Sequence, residues 1–336
     1  MAAMANEHAE HRGDRPVDRS GDRGDRPGSQ GGTDPSVPAP TSTGDSSEGL
    51  ASQQTARLLI SCPDRPGIVA AVTAYLLGWG ANIVESQQSS TDPGGGRFFL
   101  RLEFTMPDLP DKLKQVEYGF GDLAVSFGMQ WRFALASVPK RLAVLVSRAD
   151  HAMQELFWRQ RSGDLHAEIA VVISNHDELA EMAASWSVPF HHVPVVPGNK
   201  PEAEAEQLDL IRRYRVDTVV LARYMQVLSA ELLRQLPGSA INIHHSFLPA
   251  FVGANPYARA AERGVKLIGA TAHYVTPELD AGPIIEQDVT RVDHRHSVSD
   301  LRRAGRYVER SVLARAVGWH VEDRVIVYGN KTIVFA

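Results

Sequence analysis

From Thr55 onward the apolar positions follow two rhythms, strict alternation and a helical period of about 3.6, and the switches between them mark out strands and helices. Residues 56–62 read as a strand, 63–67 as a turn holding Pro and Gly, and 68–79 as a helix ended by Gly80. Asp64 is placed to cap that helix and Pro66 to enter its first turn. Strands are expected at 82–89 and 97–106 around a hairpin loop at 92–96, followed by a helix at 110–128 and a strand at 130–136. That order, βαββαβ, is the ferredoxin-like plan. After a short linker at 138–140, apolar strands at 141–146, 167–173, 190–193 and 217–221 alternate with helices at 150–161, 178–186 and 202–214. Strands rich in Val and Ile between helices predict an α/β domain with a mostly parallel, doubly wound sheet. Further strands are expected through Ala240–His244, 267–275 and 284–289, then a long helix at 297–320 and a terminal hairpin at 324–328 and 332–335. The expected layout is therefore a tail at 1–54, a first domain at 55–138 and a second at 139–336.

Composition narrows the setting. Of 336 residues, 43% are hydrophobic and 22% charged, enough for a real core in two domains. A net charge of −5 gives no electrostatic footprint for nucleic acid. The single cysteine, Cys62, can form no internal disulfide and reads as a small apolar filler, which fits a reducing cytoplasm. No apolar run is long enough for a bilayer, and no signal core opens the chain. The tail carries a crude Gly-Asp-Arg repeat at 12–27 and then Gly, Ser, Thr and Pro, so it is expected to stay disordered.

Ligands of such sheets lie at the carboxyl ends of strands. Asn175, Arg223 and His244 fall at or just after such ends, so one cleft is expected to collect them. Alternation puts Asn242 and His244 on one face of their strand. An amide beside an imidazole is either a hydrolytic pair, oxyanion donor and proton mover, or a strand end with two satisfied polar groups. Asp280 follows in a turn with Gly282 and Pro283.

Asn242, His244 and Asp280, with the words 244–249 and 269–275 around them, resemble the formyltransferases that use 10-formyltetrahydrofolate. The resemblance implies that Asn242 donates to the oxyanion, His244 moves the proton, and Asp280 orients His244 or the attacking water. Which of His244 and Asp280 accepts the proton stays open. The segment 221–229 resembles the family's pteridine-lining stretch, which implies folate contacts from Arg223, Met225 and Val227, although Met225 and Val227 also suit an ordinary core. His273 is either a further substrate contact or a satisfied strand histidine. His245, beside His244, can tune its neighbour.

The acceptor is read from a departure. Relatives that formylate glycinamide ribonucleotide carry a Gly- and Ser-rich phosphate loop after the first strand, whereas residues 146–153 here hold no glycine, and Asp150 opposes a phosphate. The domain that tRNA-formylating relatives append is also missing from the pattern. The first domain, with Asp64, Gly67 and Asn82 around its first helix and next strand, resembles an ACT domain. That implies pairing into a homo-oligomer, with or without a small amino acid bound there. Over about residues 55–336 the whole is similar to the formyltetrahydrofolate deformylase family. The resemblance implies hydrolysis of 10-formyltetrahydrofolate to formate and tetrahydrofolate, feeding purine synthesis and balancing one-carbon folates. It implies no cofactor. No metal is expected, because His191, His192, His244, His245, His273, His294 and His296 lack the compact ligand spacing of zinc sites. A ribonucleotide formyltransferase and a non-catalytic folate-binding sensor are the competing readings.

Overall fold

The computed structural model describes residues 53–92, 94–249 and 256–336. The expected tail lies outside the described residues except at its end, where Gln53 and Gln54 already belong to a strand; Pro93 of the hairpin loop also lies outside.

The first domain runs β1 (Gln53–Pro63), α1 (Ile68–Gly78), β2 (Asn82–Ser90), β3 (Arg97–Pro107), α2 (Leu109–Phe127) and β4 (Gln130–Leu135). Its antiparallel sheet has the order β2-β3-β1-β4. Period two decides what each face of β1 meets. Ala56, Leu58, Ile60 and Cys62 are fully buried against α1 and α2 residues such as Val72, Leu76, Val116 and Phe120. Arg57, Leu59 and Ser61 face the other way. One local expectation fails. The N-cap of α1 is Gly67, with φ 95, and no side chain caps the helix. Asp64 sits too far upstream and instead accepts a hydrogen bond from Ser90 Oγ, while Pro66 stays outside the first turn.

The second domain runs β5 (Lys140–Val146), α3 (His151–Ser162), β6 (Ala167–Ser174), α4 (Ala180–Ser185), β7 (Phe190–His192), α5 (Lys200–Arg213), β8 (Thr218–Leu221), α6 (Ala230–Gln235), β9 (Ala240–His244), α7 (Pro256–Arg263), β10 (Leu267–Tyr274), β11 (Ile284–Arg291), α8 (Val298–Val321), β12 (Val325–Tyr328) and β13 (Lys331–Val334). Seven strands form a sheet of order β11-β10-β9-β8-β5-β6-β7. β7, β6, β5, β8 and β9 run parallel, and β10 and β11 are antiparallel to their neighbours. Leu142, Val144 and Val146 of β5 pack toward α3 and α8, and Ala143 and Leu145 toward α5 and α6. The sheet is thus covered on both faces, as its unbroken Val and Leu runs require. The short helices α6 and α7 are the elements that hydrophobic spacing does not mark. Ser229 caps α6 by accepting from Leu232 N at 3.0 Å.

The outward face of the first sheet docks on the end of α8. Asp323, 2% exposed, receives Lys140 Nζ at 3.0 Å, Arg57 Nη1 at 3.5 Å and Arg132. Arg101, fully buried, donates to the backbone oxygens of Asp323 and Glu322 at 3.2 and 3.3 Å and pairs with Glu85 and Glu103. Phe99 meets Tyr328 of β12 edge-on at 5.5 Å. One turn before Asp323, His320 bonds Thr218 Oγ1 and Tyr274 OH, both at 2.9 Å. Burial, reinforced by Lys140 and Arg132, pulls the His320 imidazole down to about 4.

Two predictions follow from this contact between sheet and helix. Asn tolerates the left-handed backbone at position 323 (φ 54), so Asp323→Asn removes the charge without moving the chain. It takes the shared carboxylate from the partly buried Arg57 and Lys140 and the more exposed Arg132 and should cost about 1–2 kcal/mol, read as a lower urea midpoint; an unchanged midpoint would mean that Asp323 does not organise this contact. His320 is neutral when folded, whereas unfolded it protonates near pH 6.5. The stability tied to its neutral form is present above pH 6.5 and is lost as pH falls toward 4. The drop in thermal midpoint across that interval should therefore be smaller in His320→Gln than in the parent, and equal drops would contradict the assignment.

Candidate active site

A cavity of about 620 Å³ opens at the carboxyl ends of β8 and β9, walled by the loop after β10 and one face of α8. Asn242, His244, His273 and Asp280 all line it. Alternation along β9 sends Asn242 and His244 to the same side, and the antiparallel register pairs Asn242 with His273. The Asp280 loop returns tightly over β10. A Cβ on Gly282 would lie 1.8 Å from Tyr274 O, so only glycine fits there. The loop is held by Tyr274 N donating to Pro283 O at 2.9 Å and by Asn330 of the terminal hairpin donating to Ala281 O at 3.0 Å. Asp280 itself takes a left-handed φ of 55.

The polar groups fix one another's orientation. His273 Nδ1 lies 2.9 Å from Tyr274 O and can only donate to it. Its Nε2 therefore carries a lone pair and accepts from Asn242 Nδ2 at 3.2 Å. That settles which end of the Asn242 amide is nitrogen and leaves its second N–H for another acceptor. His244 Nδ1 lies 3.3 Å from Asp280 Oδ1, and its Nε2 is buried with no partner among the described residues. With Nδ1 as donor, Nε2 is free to accept a proton. The hydrogen bond from His244 holds the Asp280 carboxyl below its usual range. Burial lowers the His273 imidazole, and burial with the Arg223 charge takes His245 down to about 4, so both stay neutral near pH 7.

The remaining expected residues divide. Met225 and Val227 are not core: they are 59% and 53% exposed and, with Leu279, form an apolar wall of the cavity. His273 is both the satisfied strand histidine and a member of the site. Asn175 does not reach the cavity lining, contrary to expectation. It lies beneath it and accepts from Ser147 Oγ at 2.7 Å, while Ser147 Oγ accepts from Met225 N at 3.0 Å. Arg223 lines the cavity but turns its guanidinium to Glu309, with Nε 3.4 Å from Oε2. Asp64 and Gly67 lie near the Pro63–Arg97 end of the first sheet, and Asn82 pairs with Thr105 at the other end. A single chain does not bring these three together.

Glu309, Tyr257 and His151 escape a motif-based reading. Glu309 is 1% exposed; Tyr257 OH donates to its Oε1 at 2.7 Å, and His151 Nε2 lies 2.8 Å from its Oε2. A signal existed: Glu309 sits on the buried stripe of α8 with Leu301, Gly305, Val312 and Ala316, where a lone acid is costly unless partnered. Among the described residues no group of three or more His, Cys, Asp or Glu is arranged to hold a metal ion, and no helix is long and apolar enough to cross a membrane.

Comparison with known proteins places this arrangement. The formyl transferase profile matches residues 140–317 and the ACT domain profile residues 56–117. The chain is 57% identical over 279 residues to the formyltetrahydrofolate deformylase of Bacillus subtilis, covering 83% of this chain and 93% of that relative. The crystal structure of a formyltetrahydrofolate deformylase from Pseudomonas syringae matches with a TM-score of 0.80 and 48% identity, over 85% of this chain and 96% of that one. A glycinamide ribonucleotide transformylase from Symbiobacterium toebii matches with a TM-score of 0.56 and 32% identity, over 59% of this chain and 95% of that one. With an ACT domain ahead of a formyl transferase domain, and relatives matched along nearly their whole length, this chain belongs to the formyltetrahydrofolate deformylase family.

Proposed function

We propose that this chain hydrolyses 10-formyltetrahydrofolate to formate and tetrahydrofolate, with water as the nucleophile and Asn242, His244 and Asp280 as the catalytic residues. The observation that carries the reading is His244: Nδ1 is engaged by Asp280, and Nε2 is left as a base in a cavity that also holds the oriented Asn242 amide. The pterin lies against Met225, Val227 and Leu279. Water loses a proton to His244 Nε2 as its oxygen attacks the formyl carbon. The free N–H of Asn242 meets the developing oxyanion, and Asp280 stabilises the imidazolium. Collapse of the tetrahedral centre breaks the bond from carbon to N10, and His244 returns its proton to N10. Asp280, held below the usual carboxylate range by the hydrogen bond from His244, stays ionised and orients the imidazole.

The transferase reading is disfavoured by the turn after β5, where Arg148 is tied to Glu178 at 2.9 Å and no glycine offers backbone amides to a phosphate. The enzyme needs neither cofactor nor metal in this scheme. It works in the cytoplasm, supplies formate for purine synthesis and balances one-carbon folates, without nucleic-acid or membrane partners. An amino-acid effector at the ACT domain would be shared by two copies in a homo-oligomer, Asp64 and Gly67 from one and Asn82 from the other, since one chain holds them apart.

Purified protein given 10-formyltetrahydrofolate and a chelator, with no acceptor, should release formate in step with tetrahydrofolate. Asn242→Ala, His244→Ala and Asp280→Ala should each lower kcat by roughly 100-fold or more while keeping the parent circular dichroism spectrum. A folded, fully active Asp280→Ala enzyme would sink the mechanism.

A further inference from the structure

The cavity has two unlike sides. Met225, Val227 and Leu279 give one an apolar wall. The other is lined by the protein's own polar side chains. His245 lies between His244 and Tyr257, with ring centroids 5.2 and 6.0 Å away, and Tyr257 leads to Glu309. Glu309 gathers Tyr257, His151 and Arg223 around one carboxylate. Burial alone would raise that carboxyl, but His151, Arg223 and Tyr257 hold it below its usual range. Tyr257 reaches it by lying against α8 at Gly305, where a Cβ would come within 2.0 Å of the Tyr257 hydroxyl. Arg223 holds a left-handed φ of 67, a conformation disfavoured for any residue with a Cβ. Strained backbone at a cavity wall, with a side chain packed inward onto a buried acid, points to a shape that the site requires.

A glycinamide ribonucleotide transformylase shares this fold, so the fold alone does not set the acceptor. We propose that Arg223, ion-paired with Glu309, is a specificity-determining residue that occupies the nucleophile's side of the triad and restricts attack to water. This rests on the hydrolytic reading above. Without the Arg223 side chain, a small primary amine can enter. Its nitrogen attacks the formyl carbon, the bond from carbon to N10 breaks, and the amine proton passes through His244 to N10. The products are the N-formyl amine and tetrahydrofolate, with no other reactant consumed.

Arg223→Gly is the natural variant, because glycine accepts the positive φ without strain. Arg223→Gly/Glu309→Gln avoids a stranded buried charge, and Arg223→Lys keeps bulk and charge. Each is incubated with 10-formyltetrahydrofolate and glycinamide, and both N-formylglycinamide and formate are quantified. Total tetrahydrofolate formed by the parent tests the hydrolytic reading; the partition between the two products tests Arg223. The expected result is a partition toward N-formylglycinamide at least about tenfold above the parent in the glycine-bearing variants, the scale on which pockets discriminate by shape, with Arg223→Lys near the parent. Folded glycine-bearing variants that still yield formate in the parent ratio overturn the proposal. So does total loss of turnover in both of them while the parent is active, since Arg223 would then be required for the reaction itself.

Discussion

The site depends on a register. β9 and β10 pair so that Asn242 faces His273 and His244 faces Thr271. Slipping this pairing by one residue would turn Asn242 and His244 away from the cavity together, because side chains alternate faces. The register is held from both sides. Thr271 Oγ1 accepts from Leu248 N at 3.0 Å and donates to Ser246 O at 2.9 Å, and Val275 N donates to Ala240 O at 2.8 Å. Once it is set, one tautomer follows from another. Tyr274 O fixes His273, His273 fixes the Asn242 amide, and Asp280 fixes His244.

The same strand ties the site to the rest of the molecule. Tyr274 accepts a hydrogen bond from His273 Nδ1 through its carbonyl and meets His320 through its hydroxyl. His320 lies on the last turn of α8, and Asp323 just beyond it gathers cations from the ACT sheet and from the start of β5. The face of β1 that does not pack on α1 and α2 therefore has a definite task. It carries Arg57 to that carboxylate, while Arg101 of β3 satisfies the carbonyls at the helix end. The terminal hairpin, which reads as plain scaffold, packs Tyr328 against Phe99 and pins the Asp280 loop through Asn330.

What the sequence made legible was whatever depends on local periodicity or on a motif. Both sheets and the βαββαβ order came from periodicity, and the grouping of Asn242, His244 and Asp280 in one cavity came from the resemblance of their surrounding words to a known family. Lost were features that depend on distant pairing. Asp64 read as a cap because it precedes a helix, but Gly67 turns the chain first and Ser90 claims the carboxylate. Asn175 read as a cleft residue because it ends a strand, but Ser147 lies between it and the cavity. Met225 and Val227 fitted core and pocket equally well, since spacing does not say whether a turn after a strand is roofed over. Glu309 stood out as a lone acid on an apolar stripe, but its partners, like those of Asp323 just past the helix end, come from elements far along the chain and are not legible until the fold assembles them.

The most direct measurement of the central claim is turnover of 10-formyltetrahydrofolate in water enriched in oxygen-18, with the formate analysed by mass spectrometry. Attack by water activated at His244 predicts one solvent oxygen in each formate molecule. Formate carrying no solvent oxygen, or tetrahydrofolate formed with no formate at all, would contradict it.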